Sequence, residues 1–363
     1  MYSYSPQFPG MLHDGAYRAG LEATSEIGKS SEDIITELGW TTLLIDENFG
    51  GASGTLTQLA EILEGLSISG KRLPVIERCA LVPTILRSAL EHSSTADLLA
   101  QLCTGEVVIA PLLDTAKPVT ELTLTAKEVA GGYLLEGHVY GVESSGNATH
   151  YLVLARLPQH SREENVGVFV VPCDAIPKAR QSFLTLDGCV SADFELSGVV
   201  LETHCLLTSG AHVENALFDA QRIALLATSV SMVTSLGVLI DESVKYLNQR
   251  KQFGVPLSSF QALRHMLADV YVRYQAARAL LGRLIHDTQA SGHTQLREAQ
   301  LLKLMLGETA RVSSEVCIQM HGAMGMSEEV LAARLAQHLI NEDFRFGDRY
   351  TQSMLTCKTP ALA

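Results

Sequence analysis

The sequence predicts an α+β protein of several domains, with N-terminal helices, a small central β-barrel or β-sandwich, and a C-terminal four-helix bundle. Apolar residues recur at helical spacing towards both ends of the chain, and short β-branched segments divided by Gly, Pro and Asn lie between them. A chain of 363 residues is also long enough for more than one hydrophobic core. The predicted domains are 1–105, 106–211 and 212–363.

The first domain is predicted to consist of helices. Residues 1–10 contain two prolines and small polar residues, so we expect them to be poorly ordered. Ser30 or Ser31 is a candidate helix start, because acidic residues follow it directly. The helical patterns cover Leu12–Leu38, 55–69, 81–92 and 95–104.

The second domain contains segments with the spacing of β-strands. They are short, rich in β-branched residues or alternating, and Gly131-Gly132 between two of them is typical of a tight hairpin turn. The predicted strands are Val107–Leu113, Glu121–Val129, Tyr133–Val142, Tyr151–Leu157, Gly167–Val171 and Ala192–Val200. So many strands in about 100 residues predict a small barrel or sandwich.

The third domain is helical again. Four long segments with short connections predict an up-down bundle, and the 3.6-residue periodicity is clearest over Phe260–Leu284. The predicted helices are 212–250, 259–290, 294–320 and 327–345.

Composition and charge exclude several classes of function. The formal net charge of −13 argues against nucleic acid and anionic membrane surfaces as partners. The seven cysteines are odd in number and irregularly spaced, without a C-x-x-C, which indicates neither a disulfide framework nor a zinc site. We see no secretory signal and no uninterrupted apolar run of about 18 residues, so the expected location is the cytoplasm.

One stretch carries the pattern of an anion site. Arg250 lies at the end of a long predicted helix, and Phe253, Gly254 and Pro256 follow it in a predicted turn. A cation beside an aromatic ring at a helix end suits a phosphate contact together with a stacking contact. The alternative is a plain helical hairpin with a solvated Arg-Lys pair.

Two motifs resemble the acyl-CoA dehydrogenase family. The first is Arg250-x-x-Phe253-Gly254 with Pro256-Leu257 and Phe260-Gln261, and the second, roughly 60 residues later, is Gln319-Met320-His321-Gly322-Ala323-Met324-Gly325-Met326. The resemblance implies the three-part fold of that family, FAD as cofactor, and contacts to the phosphate–adenosine half of FAD. The residues implied in those contacts are Arg250, Phe253, Gln261, Gln319, Gly322 and Gly325.

The central domain departs from the family pattern where the resemblance implies contacts with the flavin ring. In place of an aromatic followed by "threonine-asparagine-glycine", the chain reads Gly141-Val142-Glu143-Ser144-Ser145-Gly146-Asn147-Ala148. The Glu143 carboxylate would lower the potential of a nearby flavin. We therefore expect the isoalloxazine ring to lie outside this chain's own central domain; the alternative is sequence drift with function retained.

Neither position at which the family places its catalytic base holds a carboxylate. One corresponds to Gln221 and the other to Phe346, and neither side chain can act as a general base. The nearby carboxylates Asp219, Glu342, Asp343 and Asp348 are expected to be solvated surface charges, and Asp219 points away around its helix. We find no metal spacing, nucleophile triad or Walker loop.

These features resemble the base-lacking subunit of heteromeric α2β2 acyl-CoA dehydrogenases. The resemblance implies α,β-desaturation of a bulky acyl-CoA, such as one with a steroid side chain, together with a base-bearing partner subunit. The first alternative is a self-sufficient homo-oligomeric dehydrogenase that uses a displaced base such as Asp219 or Glu143. The second is a non-catalytic scaffold subunit with the same fold.

Overall fold

The computed structural model describes residues 3–25, 31–91, 93–143, 146–158, 165–291, 295–327 and 329–358. These residues form two compact units, one drawn from 1–26, 56–72 and 225–363 and the other from 27–55 and 73–224. The division into three domains by residue number stays a prediction. Ser30 and Ser144-Ser145, which the sequence analysis singled out, lie outside the described residues.

Among the described residues, five α-helices precede the sheets. They are α1 (Met11–Ser25), α2 (Ser31–Glu37), α3 (Leu56–Ile68), α4 (Val82–Leu86) and α5 (Ser93–Thr104). The helix predicted over 81–92 is different in the structure, because a π-helical turn at Ile76–Leu81 leads into the short α4. Pro83 lies in the first turn of α4, where a missing backbone N–H costs least.

In the part of the second unit that the structure describes, ten strands form two sheets. The larger sheet has the order β10-β6-β5-β2-β3-β9, with β1 parallel to β5, and the smaller has the order β4-β8-β7. Tyr151 of the first sheet meets Phe194 of the second edge to face, with ring centroids 5.7 Å apart. The strands are β1 (Ile109–Pro111), β2 (Thr125–Val129), β3 (Gly132–Glu136), β4 (His138–Glu143), β5 (His150–Leu157), β6 (Asn165–Pro172), β7 (Gln181–Leu184), β8 (Val190–Glu195), β9 (Val199–Glu202) and β10 (Leu206–Ser209).

A glycine divides the strand predicted over Tyr133–Val142. Gly137 has φ 138°, and a Cβ at this position would lie 2.6 Å from the carbonyl oxygen of Thr123. The chain therefore turns from the larger sheet into the smaller one at a residue without a side chain.

The C-terminal helices form the predicted bundle. Val270, Tyr274, Ala277, Leu281 and Leu284 are buried along one face of α7. The elements are α6 (Ala211–Gln249), the hairpin strands β11 (Lys251–Gln252) and β12 (Val255–Pro256), α7 (Gln261–Ser291), α8 (Leu296–His321), α9 (Leu331–Phe344) and α10 (Arg349–Lys358). The predicted fold class is confirmed. Helix α10 lies beyond the last helix predicted from sequence, which ends at residue 345.

Helix α6 is long and apolar enough to cross a membrane by those two criteria alone. However, 94% of its most hydrophobic 18-residue window is buried inside the protein. This burial is what a core helix shows.

A buried carboxylate binds residues 4–8, which lie in the segment expected to be poorly ordered. Glu64 of α3 is 1% exposed. Its Oε1 accepts hydrogen bonds from the Tyr4 hydroxyl at 2.5 Å and the Gln7 backbone N–H at 2.7 Å. Its Oε2 accepts one from the Phe8 N–H at 2.6 Å. Burial, with the neighbouring Glu64 carboxylate, raises the pKa of Tyr4.

We expect Glu64→Gln to lower the free energy of unfolding by about 2 kcal/mol. The NH2 group of the glutamine amide would replace one of the two oxygens that accept these hydrogen bonds, so a donor would face a donor. Urea unfolding measures the loss. Glu315→Gln is the control: Glu315 is exposed and ion-paired with Arg311 at 3.0 Å, and its loss should cost under about 0.5 kcal/mol. Equal losses in the two variants would contradict the role of Glu64.

Candidate functional site

The Arg250 motif forms a tight hairpin between α6 and α7. The Arg250 N–H donates to the Tyr246 carbonyl and its own carbonyl accepts from the Leu257 N–H, each at 2.8 Å. Phe253 and Gly254 have φ values of 52° and 83°, the signs that a type I′ hairpin turn needs at its two central positions. A bulky residue in this left-handed conformation is strained, and such strain is often retained for function.

The hairpin presents its polar and aromatic side chains to solvent. Phe253 is 90% exposed, and its ring lies edge to face with that of Phe260, with centroids 6.2 Å apart. Arg250 and Gln261 are exposed, and no carboxylate among the described residues forms an ion pair with Arg250. A cation, an aromatic face and an amide are thus available to an anionic, ring-bearing ligand.

The second motif forms the end of α8 and the 3₁₀ turn Gly322–Met326 that follows. Gln319 and Gly322 are exposed, and Gly322 has φ 59°. Gly325 is buried, and a Cβ on it would lie 2.7 Å from the Ile318 carbonyl oxygen. Only glycine therefore lets this turn fold back onto the last turn of α8.

One side-chain pair brings the two motifs together. The rings of Tyr246 and His321 stack with centroids 4.5 Å apart, and the Tyr246 hydroxyl donates to the His321 carbonyl at 3.2 Å. His321 is 3% exposed, and its Nδ1 is 2.8 Å from the Cys317 carbonyl oxygen. Tyr246 lies one helical turn before Arg250 and belongs to neither sequence motif.

Both positions where a base is expected are filled by buried side chains without a carboxylate. Gln221 is 1% exposed, and its Oε1 accepts the Val119 N–H at 2.6 Å. Phe346 is 1% exposed, and the Arg345 guanidinium lies over its ring at 5.0 Å. The Phe346 carbonyl accepts a hydrogen bond from Gln352 Nε2 at 2.9 Å. Neither side chain can remove a proton from carbon.

The expectation that the nearby carboxylates are solvated is wrong for two of them. Glu342 is fully buried, with Arg345 at 2.7 Å and Arg72 at 3.6 Å. Burial alone raises the pKa of Glu342, but Arg345, His338 and Arg72 outweigh it and the net shift is downward. Asp343 is also buried and pairs with Arg349.

The other two carboxylates are more accessible, and each has a local partner. Asp219 is 59% exposed and pairs with Arg222 at 3.0 Å. Asp348 caps α10, because its Oδ1 accepts the Thr351 N–H at 2.8 Å.

Three carboxylates surround the end of β4. Glu143 is 5% exposed, and Asp193 accepts the Gly141 N–H at 2.9 Å. The Gly141 carbonyl accepts from the Thr115 hydroxyl at 2.9 Å, so both backbone groups of Gly141 are occupied. Burial raises the pKa of Asp114, and the charge of Asp193 adds to this effect.

An open cleft of about 390 Å³ lies between the sheet and the first turns of α6. Leu122, Val166, Leu217 and the half-exposed Phe218 give it apolar walls. Its charged lining residues are Arg156, Glu121 and Glu214, so carboxylates outnumber guanidinium groups. The cleft suits an apolar group better than a phosphate.

Comparison with known proteins gives a consistent family. The acyl-CoA dehydrogenase C-terminal domain model matches residues 208–342. The 3-sulfinopropanoyl-CoA desulfinase of Advenella mimigardefordensis is 26% identical over 220 residues, 57% of this chain and 53% of that protein. The cyclohexane-1-carbonyl-CoA dehydrogenase of Geobacter metallireducens is 25% identical over 338 residues, 87% of this chain and 85% of that protein.

The crystal structure of the ChsE4–ChsE5 complex from Mycobacterium tuberculosis has the same fold. It matches 99% of this chain and 100% of that chain with a TM-score of 0.79, at 17% identity. The matching C-terminal domain, the relatives and the shared fold agree with the two motifs at the ends of α6 and α8. Residues 208–342 therefore match an acyl-CoA dehydrogenase C-terminal domain, and the chain as a whole has the fold of the ChsE4–ChsE5 structure.

Proposed function

We propose that this chain is the base-lacking subunit of a heteromeric, FAD-dependent acyl-CoA dehydrogenase. The observation that carries the proposal is the buried, hydrogen-bonded Gln221 and the buried Phe346 at the two positions expected for a base. Removal of the α-proton of a thioester needs a group that can accept it. A second subunit therefore supplies the carboxylate, and the substrate is a bulky acyl-CoA such as one with a steroid side chain.

FAD is the cofactor of this family, and the ends of α6 and α8 fit its phosphate–adenosine half. Arg250 has no competing carboxylate among the described residues, and Phe253 offers its ring faces to solvent. Gln261 and Gln319 add exposed amides, and Gly322 leaves open space where a Cβ would be. When bound, FAD supplies the acceptor for the β-hydride.

The end of β4 does not fit the flavin ring that the family resemblance implies for this segment. Glu143, Asp193 and Asp114 place three carboxyl groups there, with Lys117 3.9 Å from Asp114, and both backbone groups of Gly141 are already hydrogen-bonded. A ring that gains electrons is disfavoured beside buried carboxylates. This supports a division in which this chain binds the nucleotide end and its partner binds the ring.

The comparisons favour an acyl-CoA substrate but do not single out one reaction. The name of one relative describes a desulfinase and that of another a dehydrogenase. Similarity to these proteins therefore does not determine the reaction, which has to be inferred from the residues of the site. The acidic lining of the cleft beside α6 offers little to the phosphates of CoA. Those phosphates would be bound mainly by the partner, in a cytoplasmic complex.

Co-expression with the proteins encoded beside this chain tests the proposal. We expect a base-bearing family member to copurify, the complex to desaturate acyl-CoA, and the chain alone to be inactive and poor in FAD. One FAD per chain with turnover in the isolated protein contradicts the proposal. If Asp219→Asn or Glu143→Gln then abolishes that turnover, the self-sufficient homo-oligomer is correct.

We expect Arg250→Ala to weaken FAD binding by the copurified complex about 10- to 100-fold, the range for loss of a charge-assisted phosphate contact. Fluorescence titration of the deflavinated complex measures this. Arg250→Lys should recover part of the lost FAD affinity, because lysine keeps the positive charge but lacks the planar guanidinium that can donate two parallel hydrogen bonds. Arg311→Ala, which removes an exposed, ion-paired arginine on α8, is the control and should leave the affinity unchanged.

A further inference from the structure

The stacked pair Tyr246–His321 joins the last turns of α6 to the end of α8. Tyr246 lies on α6 and His321 ends α8, and the nucleotide-binding residues proposed above follow or precede them closely in the chain. Tyr246 is partly exposed, whereas His321 is 3% exposed and lies beneath the tyrosine ring. The pair thus packs the C-terminal end of α6 against the C-terminal end of α8.

Each partner of the pair is connected to the binding residues through the backbone. The Tyr246 carbonyl accepts the N–H of Arg250, so the tyrosine belongs to the helical turn that carries the guanidinium. The Tyr246 hydroxyl donates to the carbonyl of His321, which directly precedes Gly322. A change in this contact therefore moves the exposed cation relative to the exposed glycine turn.

The histidine is itself held in place on both sides. Its Nδ1 hydrogen-bonds to the Cys317 carbonyl one turn earlier at 2.8 Å. Gly325 packs against its Cβ, because a side chain on this glycine would lie 3.1 Å from that atom. The turn that follows α8 thus depends on His321, and Tyr246 sets where His321 lies with respect to α6.

We propose that Tyr246 is a positioning residue for the nucleotide: it holds Arg250 and the Gln319–Gly325 turn at the spacing that one adenosine diphosphate group requires. This inference rests on the proposed function, because it assumes that the two motifs bind one ligand. Tyr246 need not touch that ligand. It acts through Arg250, since a guanidinium binds a diphosphate well only at the right distance and angle.

ADP and FAD titrations of the deflavinated, copurified complex test the inference. We expect Tyr246→Leu to weaken both ligands about tenfold or more, and Tyr246→Phe, which keeps the ring, to weaken them less. Tyr140→Leu is the matched control, because Tyr140 also stacks on a histidine, His138, with centroids 6.1 Å apart on strand β4. This control should bind both ligands as the unchanged complex does.

A double-mutant cycle separates positioning from simple support of the fold. If Tyr246 acts through Arg250, Tyr246→Leu should weaken ADP binding much less in an Arg250→Ala background than in the unchanged complex. Full additivity overturns the inference, and so does a lower unfolding temperature with unchanged ADP affinity of the folded protein. The proposed function fails separately, if the unchanged complex binds neither ADP nor FAD.

Discussion

Replacement of Glu342 by alanine should lower the free energy of unfolding by about 3 to 5 kcal/mol, the range for breaking a buried ion pair. Glu342 is fully buried, and its partners Arg345 and Arg72 have side chains 5% and 6% exposed. Without the carboxylate, two buried guanidinium groups lose an ion-pair partner that offsets the cost of removing their charge from water. Urea unfolding of the purified chain measures the loss.

A surface pair provides the matched comparison for this variant. Lys127 of β2 and Glu136 of β3 form a diagonal cross-strand ion pair at 2.8 Å, with side chains about half exposed. Glu136→Ala should cost at most about 1 kcal/mol, because water compensates an exposed charge. If Glu342→Ala costs no more than Glu136→Ala, the buried network does not stabilise the unit as its geometry indicates.

The Glu342 network also bears on the proposal that a partner subunit supplies the base. Along the chain, Glu342 and Asp343 are the carboxylates just before Phe346, and both are committed to arginines. The guanidinium groups around Glu342 hold the pKa of its carboxyl low, so Glu342 is a poor acceptor for a proton from carbon. Asp343 is buried and engaged by Arg349. Neither residue can take over from a base at position 346, which strengthens the argument for a partner subunit.

The fold was predictable from sequence where a pattern is local. Helical periodicity predicted α6 to α9, and alternating β-branched segments predicted most strands of the two sheets. The division at Gly137 was not predictable, because it depends on the approach of Thr123 rather than on neighbouring residues. Helix α10 was missed because Asp348 and the residues after it have weak apolar periodicity.

The candidate site was predictable only in part, for a similar reason. The motif residues Arg250 and Phe253 were selected from sequence, but their roles in FAD binding stay a prediction. The burial of Glu342 could not be foreseen, since Asn-Glu-Asp reads as a surface segment and Arg72 is distant in the chain. Tyr246 was overlooked because its partner His321 lies 75 residues away.

Lys303 should make the stability of the chain depend on pH in the alkaline range. Its side chain is fully buried and donates to the Asp343 carbonyl at 2.7 Å. Burial lowers the pKa of Lys303 from 10.5 to about 8, although Asp343 and Glu342 oppose this shift. The unfolded chain therefore keeps this proton over a pH range in which the folded chain has lost it.

The sign of the effect follows from this difference in bound protons. Below about pH 8 both states carry the proton, and Lys303 gives no pH slope. Between about pH 8 and 10.5 the unfolded state binds more protons, so the contribution of Lys303 to stability rises with pH. A rise through one and a half pH units corresponds to about 2 kcal/mol.

The difference in unfolding free energy between the unchanged chain and Lys303→Met isolates this contribution. Groups such as Cys79, whose pKa burial raises, and Tyr4 act in the opposite direction at alkaline pH, but they are common to both proteins and cancel. We expect the difference to shift by about 2 kcal/mol in favour of the unchanged chain between pH 7.5 and 9.5. Urea unfolding at several pH values measures it, and a difference that stays constant would show that Lys303 does not lose its proton in the folded interior.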